Sequence, residues 1–130
     1  GTIIENISMF DVNKYNASLE AASLLGLDEI IADLPLGYET IVGGQAISSL
    51  PHGLIQRICV ARALVIRPRI LLFDRVSSSV DQETENLIWS VLRGLKGKCT
   101  IVMVTNMKNL FDLADKCYEL KNACLTQIFI

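Results

Sequence analysis

Two short apolar runs constrain the fold more than any other feature of the sequence. Residues 70–73 read ILLF and lead to Asp74, and residues 99–104 read CTIVMV and lead to Thr105 and Asn106. The segment between them has a helical stripe of Ile88, Val91, Leu92 and Leu95. Continuous apolar strands joined by a helix are typical of parallel sheets. The sequence therefore predicts an α/β fold with a parallel sheet and right-handed crossovers.

Further helices are predicted on both sides of the first run. The clearest covers residues 51–67, with Pro51 in its first turn and Ser48 or Ser49 as its cap. Its apolar stripe is Leu54, Ile58, Ala61 and Val65, and Arg57 is expected largely off it. We expect Asp81 or Ser79 to cap the helix that ends near Leu95.

The two ends of the chain give weaker patterns. Residues 11–33 are helical, with one face formed by Tyr15, Leu19, Ala22 and Gly26. Asp28 is expected to cap a second short helix in this segment. A short helix is expected over residues 107–115, and strands are expected around a turn at residues 121–122.

Composition narrows the class of protein. The chain is 51% hydrophobic and 20% charged, which argues against disorder, and its net charge of −2 gives no basic footprint for nucleic acid. Charged residues interrupt every apolar run before it reaches the length of about 20 residues that a membrane-spanning helix needs. The four cysteines form no CxxC pair, which argues against a structural zinc site and favours reduced thiols in the cytosol.

The polar residues that end the two apolar runs are the first candidates for chemistry. Ligands of parallel α/β sheets bind at the carboxyl ends of the strands. Asp74 is placed to hold a magnesium ion, directly or through water. The plain alternative is that this aspartate only caps or ends the strand.

The order of the motifs adds a resemblance to a known family. Residues 47–81 read ISSLPHGLIQRICVARALVIRPRILLFDRVSSSVD. This stretch resembles the part of ATP-binding-cassette (ABC) transporters that carries the signature motif and its helix, the Walker B strand and the D-loop. The family pattern is LSGGQxQRxxxARAL, then xxLLLDE, then xxSxLD. The strongest matches are QRICVARAL at 56–64, ILLFD at 70–74 and SSSVD at 77–81.

The flanking segments resemble the same family. GTIIENISMF at residues 1–10 is similar to the GTIRENI that follows the Q-loop in exporter ATPases. LPLGYETIVGG at 34–44 is similar to LPxGYDTxVGE, and residues 99–125 resemble the switch strand and the terminal strands. The resemblance is nearest to exporters and type I secretion ATPases.

The resemblance implies a partial P-loop NTPase core with an N-terminal helical subdomain. Residues 1–67 would be the helical subdomain with the signature motif, and residues 68–130 the C-terminal half of the ATPase core. It implies ATP and Mg²⁺ as cofactors, with Asp74 as the metal ligand and Leu50, Pro51, His52, Gly53 and Asp81 as cofactor-binding residues. The motif GxxxxGK[ST], which cradles the phosphates, does not occur in the sequence.

Four departures fall on chemical positions of the family pattern. Pro51 stands in place of the signature serine and His52 in place of a glycine. Arg75 stands where the family has its catalytic glutamate, and arginine cannot accept a proton. Asn106 stands in place of the switch histidine. We therefore assign no catalytic residue to the chain.

The resemblance implies a degenerate ATP-binding domain fragment of an ABC export-type transporter that serves as a structural or regulatory half-site. Its partners would be a second nucleotide-binding domain and a transporter membrane domain, at the cytoplasmic face of a membrane. One alternative is an active transporter ATPase whose phosphate-binding loop lies in an upstream segment or in a partner. The other is a pseudo-ATPase interaction module that self-associates through an exposed apolar face of the sheet.

Overall fold

A computed structural model describes residues 1–43, 50–74, 81–105 and 108–129 of the chain. The α-helices are α1 (Ile3–Ser8), α2 (Tyr15–Leu24), α3 (Leu27–Ala32), α4 (His52–Val65) and α5 (Gln82–Leu95). The strands are β1 (Ile70–Asp74), β2 (Thr100–Val104), β3 (Cys117–Lys121) and β4 (Cys124–Ile128). Shorter 3₁₀ helices cover Val12–Lys14, Gly37–Glu39 and Lys108–Leu113. The last of these is the helix expected over residues 107–115, in the tighter 3₁₀ form.

Helix α1 begins with a capping box that the sequence analysis did not use. The Thr2 hydroxyl accepts a hydrogen bond from the Glu5 N–H at 3.2 Å, and the Glu5 carboxylate accepts one from the Thr2 N–H at 2.7 Å. These bonds satisfy backbone donors that a helix start leaves unpaired. The helix then buries Ile3 and Ile7 completely.

Two predictions for the helices α2 and α3 are wrong. The N-cap of α3 is Gly26, in the left-handed region at φ 59°, and Asp28 lies inside the first turn. The buried face of α2 consists of small residues, Ser18, Ala21 and Ala22. Of the predicted face, Ala22 is buried as expected, but Tyr15 and Leu19 are exposed. Small side chains allow the closer approach of neighbouring helices, so the face with the larger side chains points outward.

Helices α4 and α5 agree with their predicted apolar stripes. The stripe of α4 is buried at all four predicted positions, Leu54, Ile58, Ala61 and Val65. On α5, Ile88 and Leu92 are buried as expected, together with Trp89, whose indole N–H donates to the Glu85 carboxylate at 3.0 Å. Arg57 is a correction, because it is buried on α4 rather than lying off the stripe.

The two apolar runs pair in parallel, as predicted. Leu72 of β1 pairs with Val102 of β2, and Asp74 pairs with Val104. One face of this sheet packs on the helices through Leu71 and Phe73. The other face stays exposed, with Leu72 74% and Val104 57% accessible. Parallel sheets are usually covered on both faces, whereas the described residues cover only one face of this sheet.

The terminal strands β3 and β4 form a separate antiparallel hairpin. Its turn lies at Asn122 and Ala123, one residue later than expected, and both have positive φ, 50° and 59°. Two consecutive residues in the left-handed region are typical of a type I′ hairpin turn.

One hydrophobic cluster includes residues from both predicted subdomains. Ile3 and Leu54 before residue 67, and Phe73 and Ile88 after it, belong to this core. The parallel pairing of β1 with β2 confirms the mixed α/β class. The division into a subdomain of residues 1–67 and a subdomain of residues 68–130 stays a prediction.

Candidate functional site

The predicted signature residues lie at the start of α4. Pro51 is the N-cap residue, with φ −56° and ψ 137°, and it caps nothing with its side chain. Its carbonyl accepts a hydrogen bond from the Ile55 N–H at 3.3 Å. Pro51 was expected in the first turn of the helix. It lies one residue earlier, because its extended ψ places it outside the helix. Ser48 and Ser49, the expected caps, lie outside the described residues.

The four signature positions differ in how the fold holds them. Leu50 is half-buried and packs against the hydrophobic core. Pro51 and His52 are exposed, and Gly53 is half-buried. Packing therefore fixes the two ends of the motif, while the two residues that depart from the family pattern face outward.

Gly53 lies directly beside the start of α5. A Cβ added to Gly53 would lie 2.6 Å from the Oδ2 of Asp81 and 2.8 Å from the Oγ1 of Thr84. Both distances are shorter than a Cβ atom normally approaches another heavy atom, so this close contact favours a residue without a side chain. The fold thus brings the predicted signature glycine and the predicted D-loop aspartate together within one chain.

Asp81 caps α5, as the sequence predicted. Its Oδ1 accepts from the Thr84 N–H at 2.7 Å, and its Oδ2 accepts from the Thr84 hydroxyl at 2.8 Å. These two bonds, the backbone bond first, lower the pKa of the Asp81 carboxyl below its usual 3.8, with a smaller contribution from the charge of Arg57. Asp81 is therefore engaged as a helix cap while it remains exposed to a ligand.

Arg57 is the residue that the sequence analysis placed wrongly and that matters most here. Its Nε donates to the Thr84 Oγ1 at 3.0 Å, and its Nη2 lies 3.5 Å from the Glu83 carboxylate. A signal for this burial exists, because position 57 follows Leu54 by three residues and precedes Ile58 by one. This is the i, i+3, i+4 spacing of a buried helical face.

The strand-end candidates are described only in part. Asp74 is the last residue of β1, is exposed, and pairs in register with Val104. Thr105 follows β2 directly at the same edge of the sheet. Arg75 and Asn106, the two positions predicted to have lost catalytic function, lie outside the described residues.

The described residues supply little of a metal site. Within residues 1–43, 50–74, 81–105 and 108–129, no group of three or more His, Cys, Asp or Glu side chains is placed to hold a metal ion. Magnesium prefers several oxygen ligands in octahedral geometry. Asp74 offers one carboxylate for such a site.

Comparison with known proteins gives consistent relatives. The chain is 34% identical over 127 residues to the alpha-hemolysin translocation ATP-binding protein HlyB of Escherichia coli O157:H7. The aligned region covers 97% of this chain and 18% of that relative. It is 38% identical over 98 residues to the leukotoxin export ATP-binding protein LtxB of Aggregatibacter actinomycetemcomitans, covering 75% of this chain and 14% of the relative. No family model matches the chain.

A solved structure agrees with these relatives. A bacterial Atm1-family ABC exporter with ATP bound superposes with a TM-score of 0.83 and 31% identity, over 95% of this chain and 22% of that one. The chain belongs to the ATP-binding domains of ABC exporters. It spans less than a quarter of the length of these ABC exporter proteins. Among its described helices, none is long and apolar enough to cross a bilayer.

Proposed function

We propose that this ABC-type chain is a nucleotide-site component that does not hydrolyse ATP by itself and serves a transporter as a structural or regulatory half-site. The observation that carries the proposal is the contrast at the start of α4. Gly53 keeps its close contact with Asp81, while Pro51 and His52 occupy the exposed positions where the family has a serine and a glycine. The scaffold of the site is kept and its chemical groups are replaced.

Each replacement removes a defined capability. Pro51 has neither a hydroxyl nor an N–H group, so it cannot donate a hydrogen bond to a phosphate. His52 adds a side chain where the family pattern requires close approach of the backbone. Arg75 cannot act as a general base, and loss of such a base typically costs about 10²–10⁴ in rate. Asn106 can donate a hydrogen bond, but it cannot carry charge.

These 130 residues contain only some of the groups with which the family binds ATP and Mg²⁺. The sequence has no GxxxxGK[ST] loop, so a nest of backbone N–H groups and the phosphate lysine are missing from these 130 residues. Asp74 is the one proposed metal ligand and Asp81 the proposed D-loop carboxylate.

The relatives support a proposal for the partners. Their names describe translocation and export ATP-binding proteins, and we propose that this chain likewise works with a second nucleotide-binding domain and a membrane domain, at the cytoplasmic face of a membrane. In that arrangement the chain would contribute the signature side, with Leu50 to Gly53, to a composite site. The second nucleotide-binding domain would contribute the phosphate loop to that composite site.

Calorimetric titration of the 130-residue chain with Mg-ATP tests the proposal. We expect no binding in the micromolar range, because these 130 residues have no phosphate loop, Pro51 has no donor for a phosphate, and the His52 side chain obstructs close approach of the backbone. A variant with Pro51→Ser and His52→Gly is the matched comparison for the signature side. Micromolar binding by the unmodified chain, accompanied by turnover, is incompatible with the proposal.

The exposed sheet face favours a second candidate, an interaction module that self-associates. Leu72 and Ile70 are 74% and 63% exposed on the face that β1 turns away from the helices. Exposed contiguous apolar surface commonly marks an interaction site. Sedimentation velocity should then show dimers or larger species that Leu72→Lys disperses, and a monomer at all concentrations would remove this candidate.

A further inference from the structure

A buried cation joins three separate segments of the chain. The Arg57 side chain is 5% exposed. Its Nε donates to the Thr84 hydroxyl at 3.0 Å, and its Nη1 donates to the Leu25 carbonyl at 3.5 Å. Its Nη2 lies 3.5 Å from the Glu83 carboxylate. A buried guanidinium is costly unless its donors are satisfied, and here they reach the end of α2 and the start of α5.

The contact with Thr84 fixes the direction of the hydrogen bonds. A guanidinium can only donate, so the Thr84 oxygen must accept from Arg57. The hydroxyl proton is then directed to the Asp81 Oδ2, which lies 2.8 Å away. Arg57 therefore orients the cap of α5 through one intermediate hydroxyl, without touching Asp81 itself.

The opposite end of the guanidinium lies at the turn between α2 and α3. Leu25 precedes Gly26, which has φ 59° and forms the N-cap of α3. A Cβ added at Gly26 would lie 3.3 Å from the Arg57 Nη1, so the turn approaches the guanidinium closely. Arg57 itself belongs to α4, one helical turn beyond Gly53.

We propose that Arg57 is a positioning residue that makes the α2–α3 turn, the first turns of α4 and the cap of α5 move as one unit. A structural change at Thr84 should then alter the backbone at Gly26. The same contacts keep Gly53 in its close position beside Asp81. This inference does not rest on the proposed function, because it concerns the apo chain and needs no nucleotide.

Amide hydrogen exchange on the 130-residue chain, resolved by residue, tests the coupling. Arg57→Leu should accelerate exchange at the Gly26 and Thr84 amides on the order of tenfold, because bonds to a charged donor are lost at both ends. The Leu92 amide, deep in α5, should change far less. Arg62→Leu, an exposed arginine on the same helix, is the matched control and should change neither site.

A second variant separates positioning from general stabilisation. Thr84→Val removes the hydroxyl but touches neither Leu25 nor Gly26. It should still accelerate the Gly26 amide about two- to threefold, and this effect should vanish in an Arg57→Leu background. Arg57→Lys keeps the charge but has one donor nitrogen, so it should protect at most one of the two ends.

Three results would overturn the inference. One is an equal acceleration at Gly26, Thr84 and Leu92 in Arg57→Leu, which indicates only global destabilisation. Another is a Thr84→Val effect confined to the Thr84 amide, and the third is full protection of both ends in Arg57→Lys. If Arg57→Leu does not fold, the Thr84→Val and Arg57→Lys results decide the question on their own.

Discussion

The helices and the strands of this chain are packed to very different degrees. Ile3, Leu25 and Leu54, on or beside the helices, are at most 2% exposed. Leu72 on β1 and Leu120 on β3 are 74% and 71% exposed. The helices thus bury one another and the Leu71 and Phe73 side chains of β1, whereas the outer face of β1 and the hairpin carry apolar surface that the described residues leave open. Folding stability should therefore be concentrated in the helical part, and the strands should offer surface.

A pair of leucine truncations tests this contrast with the largest expected effect. Leu54→Ala should lower the free energy of unfolding by about 2–5 kcal/mol, because it leaves a cavity in the core. Leu72→Ala should change it by less than about 0.5 kcal/mol, because the side chain is already exposed. Urea unfolding followed by the fluorescence of the single, buried Trp89 measures both. Equal losses in the two variants would contradict the contrast.

A pair of glycine substitutions locates the tightest contact of the helical part. Gly53→Ala should destabilise the chain by about 1–3 kcal/mol, because its Cβ would collide with Asp81 and Thr84. Gly94→Ala, on α5 with nothing within 4 Å of the added Cβ, should stabilise by up to about 1 kcal/mol through helix propensity. The same unfolding assay applies. Stabilisation by Gly53→Ala would show that the two helix starts are farther apart than described.

The hairpin should respond separately from the core. Ala123 adopts φ 59°, which costs an L-residue about 1–2 kcal/mol. Ala123→Gly should recover part of that cost and slow amide exchange in β3 and β4, while the amides of α4 stay unchanged. Uniform slowing over the whole chain would mean that the hairpin and the helices unfold together.

The smallest effect is expected from the exposed cap at Asp81. Its pKa lies below the usual 3.8 in the folded chain, so the ionised carboxylate adds stability that is present above 3.8 and is lost as the pH falls further. Asp81→Asn keeps a capping oxygen but no charge. The unmodified chain should therefore be slightly more stable than this variant at neutral pH, and the difference should vanish in acid. A stability difference between the two chains that grows as the pH falls would contradict a lowered pKa of Asp81.

Local patterns predicted the elements that pack in the ordinary way. The α4 stripe, the parallel pairing of β1 with β2 and the Asp81 cap all follow from spacing and residue type. The start of α1 was also readable, since Thr2 and Glu5 have the spacing of a capping box.

Tertiary context decided the features that were missed. The buried face of α2 is the one with small residues, and periodicity alone does not rank one helical face against another. The burial of Arg57 depends on acceptors from Leu25 and Thr84, which are 32 and 27 residues away. An exposed apolar face was only one of the alternatives that the sequence left open, and the pairing and burial of β1 and β2 identify Leu72 and Val102 as part of it.

Phosphate release from Mg-ATP by the purified 130-residue chain is the most direct test of the central claim. A scaffold that has kept Gly53 and Asp81 but carries Pro51 and Arg75 at chemical positions should release none above background, and Asp74→Ala should change nothing. Turnover that Asp74→Ala abolishes would contradict the account.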